Sequence, residues 1–413
     1  MRKEKISIKA SVIWNSMGSM VYLISQWLIS VLVVRVSGVE VAGNLTLAMS
    51  INNVFYSIAM QGIRNYQVSD TNEKYKAGTY VYSRIFSCIV TFLICVVYCN
   101  VIQYNAEQKE CIIAYCLFKI SEALYDVYAG ICQKEWRMDY IGKSWMIKGI
   151  VTLVTFWGGL LIFPKLSWTI IGMAISSYIV LCIYDIPRAK SLTKISIAYK
   201  DIQSLYLIKE CFPLFCYLIL STIIPTIPRI FMERILGGYA LGIYGSIATP
   251  TLIVQMGASY IFNPFLTLFA EQYNSAKIKE FRGTMKKCIL AISGLSIVSL
   301  IGGKVFGKWG LTLLYGTEVA KYEFLLLPLI CCTILTATVW LFCGLLTVVR
   351  DFKGLIVSNL IAVFINGVSS YFCLNIFFMQ GATVALSISL VIEIVFLYFF
   401  LNKRLNQVKR KER

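Results

Sequence analysis

Apolar residues run through this chain in stretches of about 20, separated by short polar or basic segments. Twelve such stretches fall at roughly 12–34, 41–62, 81–101, 111–132, 145–163, 168–187, 211–231, 239–262, 288–306, 324–348, 355–377 and 381–401. A helix of about 20 apolar residues crosses the ~30 Å hydrocarbon core of a bilayer. The pattern therefore predicts an all-α polytopic membrane protein with twelve transmembrane helices. The first run follows a basic tail, is long and lacks a small-residue cleavage site, so it reads as a retained helix and not a signal peptide.

Composition agrees with this reading. Hydrophobic residues make up 58% of the 413, and the mean hydropathy is +0.71, well beyond a soluble domain. The 39 basic and 21 acidic residues leave a net charge of +18. Placing the N-terminus inside puts 29 Lys and Arg on inner segments and 7 on outer loops. The positive-inside rule then sets both termini in the cytoplasm. The charge is thereby explained by topology and contact with anionic lipid, and nucleic-acid binding is disfavoured because no soluble domain offers a groove. Fourteen cysteines lie mostly within apolar runs, no CxxC pair occurs and histidine is absent. They read as small packing residues, and metal-dependent or Cys–His chemistry is excluded.

The long basic segment after the sixth run divides the chain into an N-terminal six-helix lobe (1–190), a cytoplasmic amphipathic linker (191–209) and a C-terminal six-helix lobe (210–413). An internal match supports the division. Arg35, Gly38 and Gly43 follow the first run with the spacing R-x-x-G-x-x-x-x-G, and Arg234, Gly237 and Gly242 repeat it after the seventh. An even number of helices separates the two, so the repeat is parallel, and such halves usually hold a substrate site between them.

Charges inside the apolar runs carry the candidate chemistry. A charge near the bilayer centre costs about 2.5–3.5 kcal/mol on insertion scales and usually faces a bundle interior or wet cavity. Lys119, Glu122 and Asp126 share one side of the fourth run, at i, i+3 and i+7. Lys119 and Glu122 suit an ion pair, which leaves Asp126 in need of a partner that a cation or proton would supply. Arg84 lies about a turn inside the third run, where snorkelling competes with a functional role. Arg229 closes the stretch Pro225-Thr-Ile-Pro228-Arg229, whose prolines are expected to bend or unwind the seventh helix; a surface pair with Glu233 is the alternative. Glu393 stands alone in the twelfth run, suiting either a protonated carboxyl or an internal partner. Polar stripes at helical spacing, Asn15, Ser19, Tyr22 and Gln26 on the first helix and Ser50, Asn53, Ser57 and Gln61 on the second, read either as interhelical contacts or as a cavity lining.

The segment GIRNYQVSD at 62–70, leading into Tyr80 and Arg84, resembles bacterial Wzx-type polysaccharide repeat-unit flippases, as do the stretch KISEALYDVYAGICQKEWRMDYIGKS at 119–144 and Leu314-Tyr-Gly316. These transporters belong to the superfamily of the MATE exporters and the lipid II flippase. The resemblance implies a V-shaped pair of six-helix bundles around a cationic cavity in the bacterial cytoplasmic membrane. It implies no enzyme activity but alternating-access transfer of an undecaprenyl-diphosphate-linked oligosaccharide for O-antigen or capsular polysaccharide, alongside a polymerase and chain-length machinery. On this reading Arg84, Lys119 and Arg229 meet the diphosphate, Asn15, Gln26 and Asn53 meet sugar hydroxyls, and Glu122 and Asp126 take a coupling H⁺ or Na⁺. Arg64, Asn65, Tyr66, Gln67 and Asp70 form an inner-loop gate or a structural turn. A MATE-like multidrug or cation exporter is the alternative.

Overall fold

The computed structural model describes residues 7–70, 73–196 and 202–411, and no strand occurs among them. The helices are α1 (Ile8–Ser37), α2 (Val39–Met60), α3 (Ile63–Ser69), α4 (Ala77–Val101), α5 (Ala106–Lys134), α6 (Met138–Ile162), α7 (Leu166–Val180) and α8 (Ile186–Leu192). They continue with α9 (Gln203–Phe262), α10 (Leu266–Asn274), α11 (Ile278–Tyr315), α12 (Thr317–Ala320), α13 (Leu326–Val348), α14 (Phe352–Phe377) and α15 (Met379–Lys411). A π-helical turn, Leu181–Asp185, joins α7 to α8.

Nine helical stretches among the described residues are long and apolar enough to span a bilayer. Helix α2 with its polar stripe and α5 with its buried charges are the right length but too polar for that criterion, and α9 is two helices meeting at Gly237. Together these make the expected twelve. Which residues face outward also points to a bilayer. On α4 the exposed side chains include Ile89, Leu93 and Val97, while Ser83, Arg84, Ser87 and Thr91 are buried. In water that arrangement would be reversed.

Two turns carry the repeat. Gly38 sits at φ 90°, ψ 172° between α1 and α2, and Gly237 at φ 84°, ψ 172° in α9. A positive φ of this kind is open to glycine and strained for other residues. In each case an arginine lies three positions earlier, so the spacing seen in the sequence marks one backbone device used twice. Gly316, at φ 93°, ψ 174°, makes the same turn ahead of α12.

Packing divides the chain into two compact units, Met1–Ile219 and Leu220–Arg413. In the first, α1 packs most extensively on α6, and α5 is surrounded by α2, α4 and α7. In the second, α15 packs on α14 and α13. Part of the expected linker, 197–201, lies outside the described residues. Before it α8 ends at Leu192 and the chain is non-helical to 196; after it α9 begins at Gln203 and buries Leu207 and Cys211 in the core of the first unit.

One expectation is corrected. Helical backbone runs through Pro225 and Pro228, and the departure from helix comes at Gly237 instead. The prolines lack donors but do not unwind the helix, because the carbonyl that Pro228 leaves open finds another donor.

Candidate functional site

The first unit holds a chain of charged side chains inside the membrane region, and α5 is its spine. Lys119, Glu122, Asp126 and Gln133 fall at i, i+3, i+7 and i+14 and so follow one face of the helix over about 21 Å. At one end Lys119 Nζ lies 2.6 Å from Glu122 Oε2. The Lys119 ammonium also lies 5.2 Å from the ring centre of Tyr56, 5.8 Å from Tyr115 and 5.6 Å from Phe118. Cation–π attraction thus stands in for part of the lost hydration. The other oxygen of Glu122, Oε1, is buried without a hydrogen-bond partner.

Midway along the spine, Asp126 joins two arginines. Arg84 Nη2 lies 2.8 Å from its Oδ2, and Arg64 Nη1 lies 3.0 Å from its Oδ1. Arg84 also donates to the carbonyl of Ala59 at 2.7 Å. Arg64 grips Oε1 of Gln133 through Nε at 3.1 Å and Nη2 at 2.8 Å. The two guanidinium groups differ in access: the Arg84 side chain is fully buried, whereas that of Arg64 is 26% exposed.

A third pair completes the set. Lys148 on α6 is fully buried, with Nζ 3.4 Å from Asp185 Oδ2 and 3.7 Å from the ring centre of Tyr125. Asp185 closes the π-helical turn, whose wider winding shifts the phase of the helix face there. Lys148 is also within electrostatic reach of Glu122. Four cations (Arg64, Arg84, Lys119, Lys148) thus face three carboxylates (Glu122, Asp126, Asp185), and two of the cations keep partial access.

Several expectations change. Arg84 neither snorkels nor faces open space; the carboxylate of Asp126 and the carbonyl of Ala59 enclose it. Asp126 is not short of a partner, since both its oxygens are taken by arginines. Asn53 is exposed, and the buried polar group beside it is Asn52, which donates to the carbonyls of Ala48 and Ile112, both at 2.9 Å. Asn15 is half-buried where α1 crosses α6, and Gln26 donates to Thr152 Oγ1 of α6 at 3.5 Å. That part of the first stripe serves helix contact.

The basic-loop motif forms a compact turn. Gln61 and Gly62 adopt left-handed conformations and start α3. Asp70 accepts from the N–H groups of Lys74 at 3.0 Å and Tyr75 at 3.1 Å and from the Tyr80 hydroxyl at 2.8 Å. Burial opposes its ionisation, but these donors outweigh that and hold the carboxyl below its usual range. Tyr66 and Lys74 both donate to Glu210 at the start of α9, and the Glu210 bond pushes the Tyr66 hydroxyl up to about 12. Gln67 is buried and donates to Val127 O at 3.3 Å, while Asn65 is exposed.

In the second unit Arg229 is half-buried near Tyr244 and Cys332. Glu393 is 1% exposed, and neither of its carboxyl oxygens has a hydrogen-bond partner. Arg229 and Arg84 fall in different units.

Lys148 and Asp185 were not singled out from sequence. Hydropathy places the start of the fifth run near 145, which leaves Lys148 looking like a flanking residue. The helix in fact begins at Met138, about three turns earlier than Lys148.

The spine of buried charge along α5, within a twelve-helix chain, gives context to the likeness with known proteins. The fold is that of the lipid II flippase and the MATE transporters. The chain superposes on a structure of the lipid II flippase MurJ in an inward closed conformation with a TM-score of 0.76 and 14% identity, over 96% of this chain and 90% of that one. The MATE multidrug transporter DinF-BH gives a TM-score of 0.71 and 14% identity over 96% of this chain and 95% of that one. In sequence the chain is 25% identical over 385 residues to the capsular polysaccharide biosynthesis protein CapF of Staphylococcus aureus, covering 91% of this chain and 94% of that protein. No family model matches.

Proposed function

We propose that this chain is a flippase that carries undecaprenyl-diphosphate-linked oligosaccharide across the bacterial cytoplasmic membrane, its basic loops facing the cytoplasm. Likeness to CapF along nearly the whole chain supports a role in surface polysaccharide synthesis, and the fold supports transport over catalysis. The observation that carries the reading is the pair of partly exposed cations Lys119, on α5, and Arg64, on α3 and paired with Asp126 of α5. Each is held by a carboxylate that an incoming phosphate can replace as partner.

The energetics fit such a substrate. Unpaired polar groups cost several kcal/mol each in hydrocarbon, so a sugar diphosphate needs a wet route, while its lipid tail can stay in the bilayer. Arg84, enclosed by Asp126, positions the site and does not contact the headgroup in this state. With the inside negative, moving one negative charge outward releases about 2.3 kcal/mol per 100 mV. Glu122, with one oxygen unpartnered, is the better place for a coupling proton or sodium ion, because both arginines occupy Asp126. Arg229, in the second unit, is a further cation suited to the same class of headgroup.

The test is transfer of a fluorescent polyprenyl-diphosphate saccharide in proteoliposomes, with dithionite reporting the leaflet. Lys119→Gln should slow transfer by up to about a hundredfold, as loss of one charge-assisted contact implies. Wild-type rates in Lys119→Gln and Arg64→Gln together would overturn the assignment. A second reading, export of aromatic cations, draws on the rings of Tyr56, Tyr115 and Phe118 and on the MATE fold. Ethidium uptake by the same proteoliposomes, with no saccharide transfer, would favour it.

A further inference from the structure

Glu393, on α15 of the second unit, has no share in the charged spine of α5. Its side chain is 1% exposed, and neither carboxyl oxygen has a hydrogen-bond partner among the described residues. An ionised carboxylate left in this way inside a membrane is costly, so its charge needs an answer. The helices packed on α15 are α13, α14 and, more lightly, α11, and they bring no cation to it. Helix α13 holds no charged residue, and its buried titratable groups are the thiols Cys332 and Cys343. On α14, Asp351 and Lys353 stand at the helix start, and Asp351 is taken by Arg404. Helix α11 adds the buried thiol Cys288 and the exposed Lys286 and Lys287. Its Arg282 meets α15 at Asn402 and Asn406, nine residues or more beyond Glu393, about 14 Å along the helix. Arg229 of α9 sits by Tyr244 and Cys332, and Cys332 meets Ser387, six residues before Glu393.

The facing helix offers an acceptor instead. Helices α14 and α15 run antiparallel: Ser389 donates to the carbonyl of Ala362 at 2.7 Å, and Gly354 lies against Phe400. Between these two contacts fall Glu393 on α15 and, on α14, Ser358 and Asn359, both fully buried. Asn359 gives its amide N–H to the carbonyl of Leu355 at 2.9 Å, and its Oδ1 has no donor. Three buried oxygens at one level of two packed helices therefore lack a hydrogen to share. One proton on Glu393 removes the charge and gives Asn359 its donor, whereas a hard metal cation takes about six oxygens. We propose that Glu393 is a proton-binding site, neutral at pH 7 with its hydroxyl donating to Asn359 Oδ1. Buried carboxyls of this kind serve proton relays in membrane transporters, and the site stands whether or not the chain moves a saccharide.

Infrared spectra of the purified full chain in lipid test it, because a protonated carboxyl has a C=O stretch that carboxylates and amides lack. The difference between wild type and Glu393→Gln at pH 7 in potassium chloride should show one carboxyl band per chain, present only in the wild type. Gln keeps a donor for Asn359, so this variant should match the wild type in gel filtration and melting temperature. Asn359→Leu should keep the band and move it to higher frequency, as for a carboxyl that has lost its hydrogen bond. No band at pH 7 would mean that Glu393 is ionised, and loss of the band when sodium replaces potassium would assign the site to a metal cation; either result overturns the proposal. A Glu393→Gln chain that fails to fold also overturns it, since the negative charge itself would then be needed. A band that stays in place in Asn359→Leu would refute Asn359 as the acceptor.

Discussion

Asn366 on α14 donates from Nδ2 to the carbonyl oxygen of Ile224 on α9, at 2.6 Å. Ile224 lies four residues before Pro228, whose ring nitrogen carries no hydrogen, so this carbonyl has no helical donor. Asn366 is fully buried and supplies the missing bond, which keeps α9 helical through a proline that would otherwise leave a bare acceptor in the membrane. Asn366→Ala should destabilise the purified protein by about 1–3 kcal/mol, the cost of one unsatisfied buried group. Pro228→Ala restores the N–H, so the same change in that background should cost little. Asn366 also accepts from Ser370 at 2.9 Å, but that loss is common to both backgrounds and cancels in the cycle. Equal costs measured by thermal unfolding in detergent would show that the bond does not compensate the proline.

The Arg84–Asp126 pair gives a second expectation. Breaking a buried ion pair from one side costs about 3–5 kcal/mol, because the remaining charge has no water and no partner. Asp126→Ala strands two guanidinium groups, one of them fully buried, and should sharply reduce folded protein recovered from the membrane. Arg84→Met with Asp126→Leu removes both buried charges and should recover much of that loss, though not transport. Fluorescence-detected size exclusion of tagged variants reads both. A double variant no better than Asp126→Ala alone would mean that the pair is not what fixes α4 on α5.

A third expectation concerns the crossing of α1 and α6. Added methyl groups at Gly18 or Gly142 would overlap backbone of the opposite helix: the Gly142 carbonyl in the first case, that of Trp14 in the second. Small residues permit this approach, which suits a membrane interior where helices associate through close packing. Gly142→Ala should therefore force the two helices apart and cost about 1–3 kcal/mol, as overpacking does. Gly158→Ala, where no atom lies within 4 Å, serves as the control. A melting temperature for Gly142→Ala equal to that control would contradict the close crossing.

The twelve spans were legible because hydropathy is a property of each segment by itself, and the glycine turns were legible because only glycine tolerates their φ. Pairing across the bundle was not. Lys119 and Glu122 lie three residues apart on one helix, so sequence could join them; Arg64 and Asp126 are 62 positions apart, and nothing local links them. Asp126 therefore looked unpartnered. The prolines misled for the same reason, since their compensation comes from Asn366, 138 residues beyond Pro228. Lys148 was hidden because α6 begins at Met138, about three turns ahead of it, in a polar stretch that hydropathy does not recognise as helix.

The turn after α3 yields a prediction in pH. Asp70 binds the N–H groups of Lys74 and Tyr75 and the hydroxyl of Tyr80 only as a carboxylate with both oxygens accepting. Burial works against the charge, but the three donors prevail and its pKa in the folded turn is lowered. For a carboxylate with a depressed folded pKa, the stabilisation is fully present above the unfolded value of about 3.9 and is lost as pH falls through the folded value. Protection of the Lys74 and Tyr75 amides against hydrogen exchange, corrected for the intrinsic rate, should therefore stay level from about pH 8 down to pH 4. It should fall only below that. Asp70→Asn keeps a single acceptor oxygen and should lower protection at all of these pH values by about tenfold, with no step in the acid range. A wild-type step near pH 6 would mean that another group controls the turn. Unchanged protection in Asp70→Asn would mean that the backbone holds it without the carboxylate.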